Sequence, residues 1–169
     1  MKVLAIQSSG DQTSICLIHN DDVLTFSQKH QRKERPDWNN MLIKIGLKKL
    51  FHLDEICLFT FANSSSSYTA TRSIATYMKG VAVALKKPLI AIISDDIDEL
   101  SADSIAKFAL LDYKKSVFHP EMFNPKDATP IYTQAPVAYT HVIANETASS
   151  IVCRTLLNSA TSLRHRANG

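Results

Sequence analysis

Residues 2–28 read KVLAIQSSGDQTSICLIHNDDVLTFSQ, and this stretch decides the fold. Its first six residues are a mostly apolar run that stops in a polar turn over 8–12. Residues 13–19 and 22–28 alternate apolar with polar side chains, the period-two signature of strands. Asn20 and Asp21 between them make a short turn of the kind that closes a hairpin. Three strands in succession, joined by tight turns, predict an antiparallel meander.

Downstream the period changes. A polar stretch containing Lys29, Arg32, Lys33, Glu34 and Arg35 precedes Pro36, which stands where a helix begins. Trp38, Met41, Leu42 and Ile45 follow at i, i+3, i+4 and i+7, and Leu50 and Phe51 extend the stripe. The spacing predicts an amphipathic helix over 37–51. Residues 55–61 read as a buried strand, and 62–67 as a loop whose Asn and Ser residues cap the next helix. That helix is expected over 68–85, with Ile74, Tyr77, Met78, Val81, Ala82 and Leu85 on one side. Residues 88–93 read as a strand and 103–112 as a short helix.

The resulting order is β-β-β-α-β-α-β-α. A meander followed by βαβ crossovers requires a mixed sheet, of about five strands, with helices packed on it. The class is α/β, and the order is that of the ribonuclease-H-like unit on which actin-like lobes are built. From residue 113 the character changes. Pro120, Pro125, Pro130 and Pro136 punctuate a stretch with one expected strand, 129–133, and a helical pattern follows over 146–163. The reading is an N-terminal lobe over 1–112 and a reduced second lobe or extension over 113–169.

The 169 residues are 45% hydrophobic and 21% charged, enough to bury a core and too apolar for wholesale disorder. No run of 18 apolar residues occurs, so a membrane-spanning helix is not expected. The apolar stretch at the N-terminus is too short for a signal-peptide core, which points to the cytoplasm. Cys16, Cys57 and Cys153 form no Cys-x-x-Cys pair and read as small buried hydrophobes in a reducing compartment. The sequons at Asn63 and Asn145 then carry no meaning. A net charge of +3 is too small to imply nucleic-acid binding. The basic residues of 29–35, with Arg154, Arg164 and Arg166, lack interleaved aromatics and read as solvated charge.

Reactive chemistry is sparse. There is no Gly-x-Ser-x-Gly elbow and no Gly-Lys-Ser/Thr phosphate loop. The six histidines, His19, His30, His52, His119, His141 and His165, show no metal-ligand spacing. Asp95, Asp96, Asp98 and Glu99 read as a solvated turn ahead of a helix rather than a metal site. Actin-like ATPases carry a magnesium-orienting aspartate at the end of the first strand. Here that position is Gln7, a poor partner for a hard cation. Ser8 and Ser9 in the first turn, and Ser66 and Ser67 ahead of a helix bearing Arg72, are candidates for holding an anion. The competing readings are a plain hairpin turn and helix capping.

Several stretches together resemble one family. They are Met1 to Ile6 with its Ser-rich turn, Ser67-Tyr68-Thr69-Ala70-Thr71-Arg72, Lys79-Gly80-Val81-Ala82, and the run from Lys87-Pro88 to Ser94. The chain is similar over about residues 1–94 to the TsaB (YeaZ) family of glycoprotease-like, actin-like-fold proteins. The family's hallmark is a Gly-Pro-Gly-Ser-Phe-Thr-Gly-x-Arg loop and helix. Tyr68-Thr69 stands for its Phe-Thr, Arg72 for its arginine and Gly80 for a later glycine, while residues 128–132 look like its closing element. Ser64, Ser65, Ser66 and Ala70 replace the loop's glycines and proline.

The resemblance implies a non-catalytic subunit of the machinery that attaches threonylcarbamoyl to tRNA adenosine. It also implies a TsaD-like catalytic partner, a TsaE-like ATPase, self-association when alone, and at most indirect contact with tRNA. This chain would then carry no cofactor, with ATP and metal held by the partner subunits. The family's docking surface is formed by the two helices after the meander. Carried over, the interface residues are Trp38, Met41, Leu42, Ile45, Tyr68, Thr69, Arg72, Tyr77, Met78 and Val81. Ile43, Leu47 and Val83 add apolar surplus beyond a single sheet-facing stripe. Two other readings stay open: an active nucleotide- or metal-dependent transferase or peptidase, and a homodimeric module with an unrelated partner.

Overall fold

The computed structural model describes residues 1–9, 11–20, 22–31, 34, 36–64, 67–93, 101–116 and 119–130. The chain opens with strands β1 (Lys2–Ser8), β2 (Gln12–His19) and β3 (Asp22–Lys29), the expected meander. Helix α1 (Trp38–Lys44), β4 (Leu58–Asn63), α2 (Tyr68–Leu85), β5 (Leu89–Ile93) and α3 (Ala102–Lys115) follow. The sheet order is β3-β2-β1-β4-β5. β1 runs antiparallel to β2 and parallel to β4, and β5 continues parallel to β4. This mixed five-stranded sheet is the ribonuclease-H-like arrangement the element order called for.

Alternation along the strands sorts side chains onto two faces. Leu4, Ile6, Ile15, Leu17, Phe59 and Phe61 pack beneath α1 and α2, against Met41, Leu42, Ile74 and Met78. Val3, Ala5, Cys16, Ile18, Leu58 and Ala62 face α3, against Ile105, Ala106 and Ala109. With β1 and β4 covered on both sides, each enclosed Leu, Ile or Phe contributes about 1.5–3 kcal/mol of burial. The α3 layer also encloses Cys16, whose thiol is pushed up to about 12, chiefly by burial. Thr60 lies in a buried strand between Phe59 and Phe61, and its hydroxyl has no hydrogen-bond partner among the described residues.

Boundary differences have local causes. α1 ends at Lys44, not 51. Gly46 takes φ +107, donates to Ile43 O, and Leu47 N donates to Leu42 O at 2.9 Å. These are the two reversed bonds of a Schellman closure with glycine at its left-handed position. α2 closes with the same pair of bonds, Lys86 N to Val83 O and Lys87 N to Ala82 O, but there a lysine sits at φ 55. β4 starts three residues later than expected because 53–55 form a short 3-10 turn. α3 runs three residues further, to Lys115: Tyr113 is buried, and Lys114 and Lys115 suit the negative end of the helix.

Ser101 caps the start of α3 by accepting from Ser104 N, while Asp37 caps α1 by accepting from Asn40 N. Ser67 caps α2 by position only, since its side chain makes no capping bond. Residues 120–130 return to the sheet. Phe123 packs on Tyr113, and Asn63 Nδ2 donates to Thr129 O at 3.0 Å. Thr129 and Pro130 are not in a strand. The rest of the expected 129–133 strand, the 146–163 helix, Cys153, the 95–99 acidic cluster and most of the proposed second lobe lie outside the described residues.

Candidate functional site

The helices α1 and α2 share one side of the sheet, and their outer surface is distinctive. Trp38 stacks on Tyr77 with ring centroids 5.6 Å apart and planes 21° from parallel. Both rings are half-buried, and burial raises the Tyr77 hydroxyl above its ordinary range. At the start of α2 the Arg72 guanidinium lies 5.6 Å from the centre of the Tyr68 ring, a cation–π contact. Tyr68 and Thr69 are exposed, and Val81 is half-buried. Ile43 and Val83 are exposed as anticipated, whereas Leu47 is buried.

Four of the ten residues carried over as an interface are core residues instead. Met41, Leu42, Ile45 and Met78 are all at most 4% exposed. They occupy the apolar stripes that α1 and α2 turn toward the sheet, so a partner cannot reach them. The outward positions of α2 are Tyr68, Thr69, Arg72, Ser73, Thr76, Gly80, Val83 and Ala84. Arg72 carries the only charge among them. An outer helix face on a monomer normally carries many, and that of α3 has Lys107, Asp112, Lys114 and Lys115. At mid-helix, a Cβ added to Gly80 would meet nothing among the described residues within 4 Å.

The anion candidates fare differently. Ser8 is buried, and its hydroxyl is engaged by Ser9 O, Gln12 O and Thr13 Oγ1. Ser9 Oγ donates to Asp11 Oδ1 and Gln12 O. The first turn is therefore closed on its own hydroxyls, with a carboxylate beside it, and offers an anion little. Thr13 Oγ1 continues the chain to His30 Nε2 at 2.9 Å. Ser66 lies outside the described residues, and Ser67 stays at the head of α2. Among the described residues no three His, Cys, Asp or Glu side chains come close enough to hold a metal ion. Nor is any helix there long and apolar enough to cross a membrane.

Sequence reasoning had not singled out Ser73, Thr76 and Ala84. Their signal was the gap between apolar positions on a helix otherwise read for its stripe. It also missed Thr25, Ser27, Ser101 and Asp103, which surround Gln7 in a cleft on the other side of the sheet. The register Gln7↔Ser14↔Ser27 was implicit in the meander once its turns were fixed.

No protein-family model matches the chain, and no curated protein matches it. Among solved structures it is similar to YeaZ from Pseudomonas aeruginosa, at 22% identity and a TM-score of 0.46, over 54% of this chain and 43% of that one. A second structure, described as an uncharacterized protein with similarity to peptidase YEAZ from Pseudomonas aeruginosa, gives 21% identity, a TM-score of 0.47 and the same coverages. The chain thus spans less than half the length of these structures. At such identity they assign no residue a role.

Proposed function

We propose that this chain is a non-catalytic scaffold subunit of the tRNA threonylcarbamoyladenosine machinery. In this reading it supports a TsaD-like catalytic paralogue through the outer surface of α2 and the adjoining end of α1. Trp38, Tyr68, Thr69, Arg72, Tyr77 and Val81 form the contact, together with Ser73, Thr76, Gly80 and Ala84. The catalytic subunit and a TsaE-like ATPase supply metal and ATP, tRNA is met only indirectly, and alone the chain pairs with a second copy. All of this takes place in the cytoplasm.

Gly80 carries the reading. A glycine inside a helix costs about 1 kcal/mol relative to alanine. Nothing among the described residues fills the space beside it. A glycine flanked by Thr76 and Ala84 one turn to either side lets a second helix approach backbone to backbone. Around it the aromatic pair Trp38–Tyr77 and the Arg72–Tyr68 contact supply residue types that are enriched where proteins meet. The local sequence likeness from Ser67 to Arg72 supports a TsaD-like partner.

Co-expression with the TsaD-like subunit of the same organism tests the proposal. The expected result is a stoichiometric complex that Gly80→Arg abolishes while the variant itself stays folded. Repeated recovery of the chain without that subunit, under conditions where both are soluble, overturns it.

A further inference from the structure

β3 is the outermost strand at the meander end of the sheet, paired with β2 on one side and, among the described residues, with no strand on the other. Seven of its eight residues are exposed, and the eighth, Phe26, is half-buried. Val23 and Leu24, on opposite faces, are 42% and 37% exposed. The edge is also unguarded. Its register with β2 runs without a bulge from Gln12↔Lys29 to His19↔Asp22, and the strand holds no proline and no charge between its two ends. Bulges, prolines and interior charges are the devices by which soluble proteins blunt a long edge.

The hairpin fixes which backbone groups this edge offers. His19 and Asp22 are the first pair after its two-residue turn, and His30 N donates to Asp11 O at 2.8 Å one pair beyond Lys29. Even-numbered residues of β3 therefore bond to β2, and the N–H and C=O groups of Val23, Thr25, Ser27 and Lys29 point outward. Residues directly opposite in an antiparallel pair are either both bonded or both not, so the outward set pairs only with another outward set. One such register makes the strand its own complement. With Thr25 opposite Thr25 on a two-fold axis, Leu24 of each copy faces Phe26 of the other, Val23 faces Ser27, and Asp22 faces Gln28 with Lys29 beside it. The next allowed register in one direction sets Phe26 against Asp22, and in the other Leu24 against Gln28, so apolar matching selects the centred one. Charge agrees: Asp22 and Lys29 make no ion pair among the described residues, and antiparallel pairing brings the acidic end of each strand to the basic end of the other.

We propose that the outer edge of β3 binds the same edge of a second copy of this chain, antiparallel about an axis through Thr25, so that two five-stranded sheets join into one. Every favourable contact then occurs twice, as an isologous interface requires. That self-complementarity is what favours a copy of this chain over a strand of another protein. An edge of eight residues buries less than a standard interface, so the pairing is weak, with a dissociation constant on the order of 0.1 mM. It uses no residue of the α2 surface and does not depend on the partner proposed for that surface.

The test is sedimentation equilibrium of the full chain from about 10 µM to about 1 mM, in the Gly80→Arg background so that the α2 surface takes no part. The expected result is a reversible monomer–dimer equilibrium, with hydrogen exchange slowing at the amides of Val23, Thr25, Ser27 and Lys29 as the dimer forms. Thr25→Pro removes an outward N–H and no bond to β2, a place where an edge strand tolerates proline, and should abolish the dimer. Thr25→Lys and Thr25→Glu, at an exposed position, should each weaken it roughly fivefold by setting like charges across the axis. Mixed in equal amounts, these two variants should pair at least as tightly as the parent, and the charge swap keeps the test valid if Thr25→Pro fails to fold. A chain that stays monomeric at about 1 mM overturns the proposal. So does a dimer that survives Thr25→Pro, and so does a mixture of the charged variants no tighter than either alone.

Discussion

Replacing Gly80 should move stability and association in opposite directions. In Gly80→Ala the new methyl meets no atom of the described residues within 4 Å, so no steric penalty from them opposes the gain in helix propensity. That gain is about 0.8–1 kcal/mol, or about 3 °C in melting midpoint for a domain of this size. At a close helix–helix contact the same methyl is an intrusion of about 1–3 kcal/mol, a loss in affinity of roughly five- to 150-fold. Gly80→Arg should abolish association altogether. Urea unfolding followed through Trp38, the one tryptophan of the chain, reports the first quantity. Calorimetric titration with the TsaD-like subunit reports the second. Were Gly80→Ala to destabilise the monomer, or Gly80→Arg to bind like the wild type, the reasoning from open space would be refuted.

Four further outcomes are expected. Thr60→Val should stabilise the fold by about 1 kcal/mol, because a same-shaped apolar group replaces a buried hydroxyl without a partner among the described residues; a fall in the urea midpoint would count against this. Gly46→Ala should cost about 1–2 kcal/mol, since φ +107 is strained for any other residue and the new Cβ would sit 2.6 Å from Leu50 Cδ1. Lys86→Gly should do the reverse at the end of α2, raising the melting midpoint by relieving a left-handed lysine, a net gain of about 0.5–1 kcal/mol. The carboxyl of Asp103 is depressed in the folded chain, first by the Ser101 hydroxyl, so its contribution is present above the ordinary carboxylate range and lost as pH falls through the lowered value. Melting of wild type and Asp103→Asn should therefore differ at pH 7 and converge as the pH falls through and below the lowered carboxyl range.

Periodicity revealed most of the architecture. Alternation in 13–28 specified both the meander and its register, since a one-residue slip would have turned Ile15 and Leu17 away from the core. The bounds of α2 were legible because its stripe is unbroken from Ile74 to Leu85. α1 was overdrawn because Leu50 and Phe51 happen to continue its spacing. Gly46 was the stop signal, and it acts through backbone geometry rather than through polarity. The end of α3 was cut short where Tyr113 gave way to lysines, which at a helix carboxyl end favour continuation.

The proposed docking surface was harder to see for a related reason. An apolar stripe on a helix marks what the monomer itself buries, so choosing Met41, Leu42, Ile45 and Met78 selected the core. The surface we propose instead is made of uncharged short side chains on the opposite face. The cleft around Gln7 could not be read from any one segment, because its walls come from residues 7, 14, 25, 27 and 101–103. Only the strand register and the packing of α3 bring them together.

Cys16, sealed beneath α3 with its thiol pushed up to about 12, stays protonated and shielded at any pH where alkylating reagents are ordinarily used. Labelling there requires the helix to lift from the sheet. The rate of modification thus serves as a clock for how often this layer opens, read without any introduced probe. Cys57, half-buried, has no such gate and marks the same sample's background reactivity.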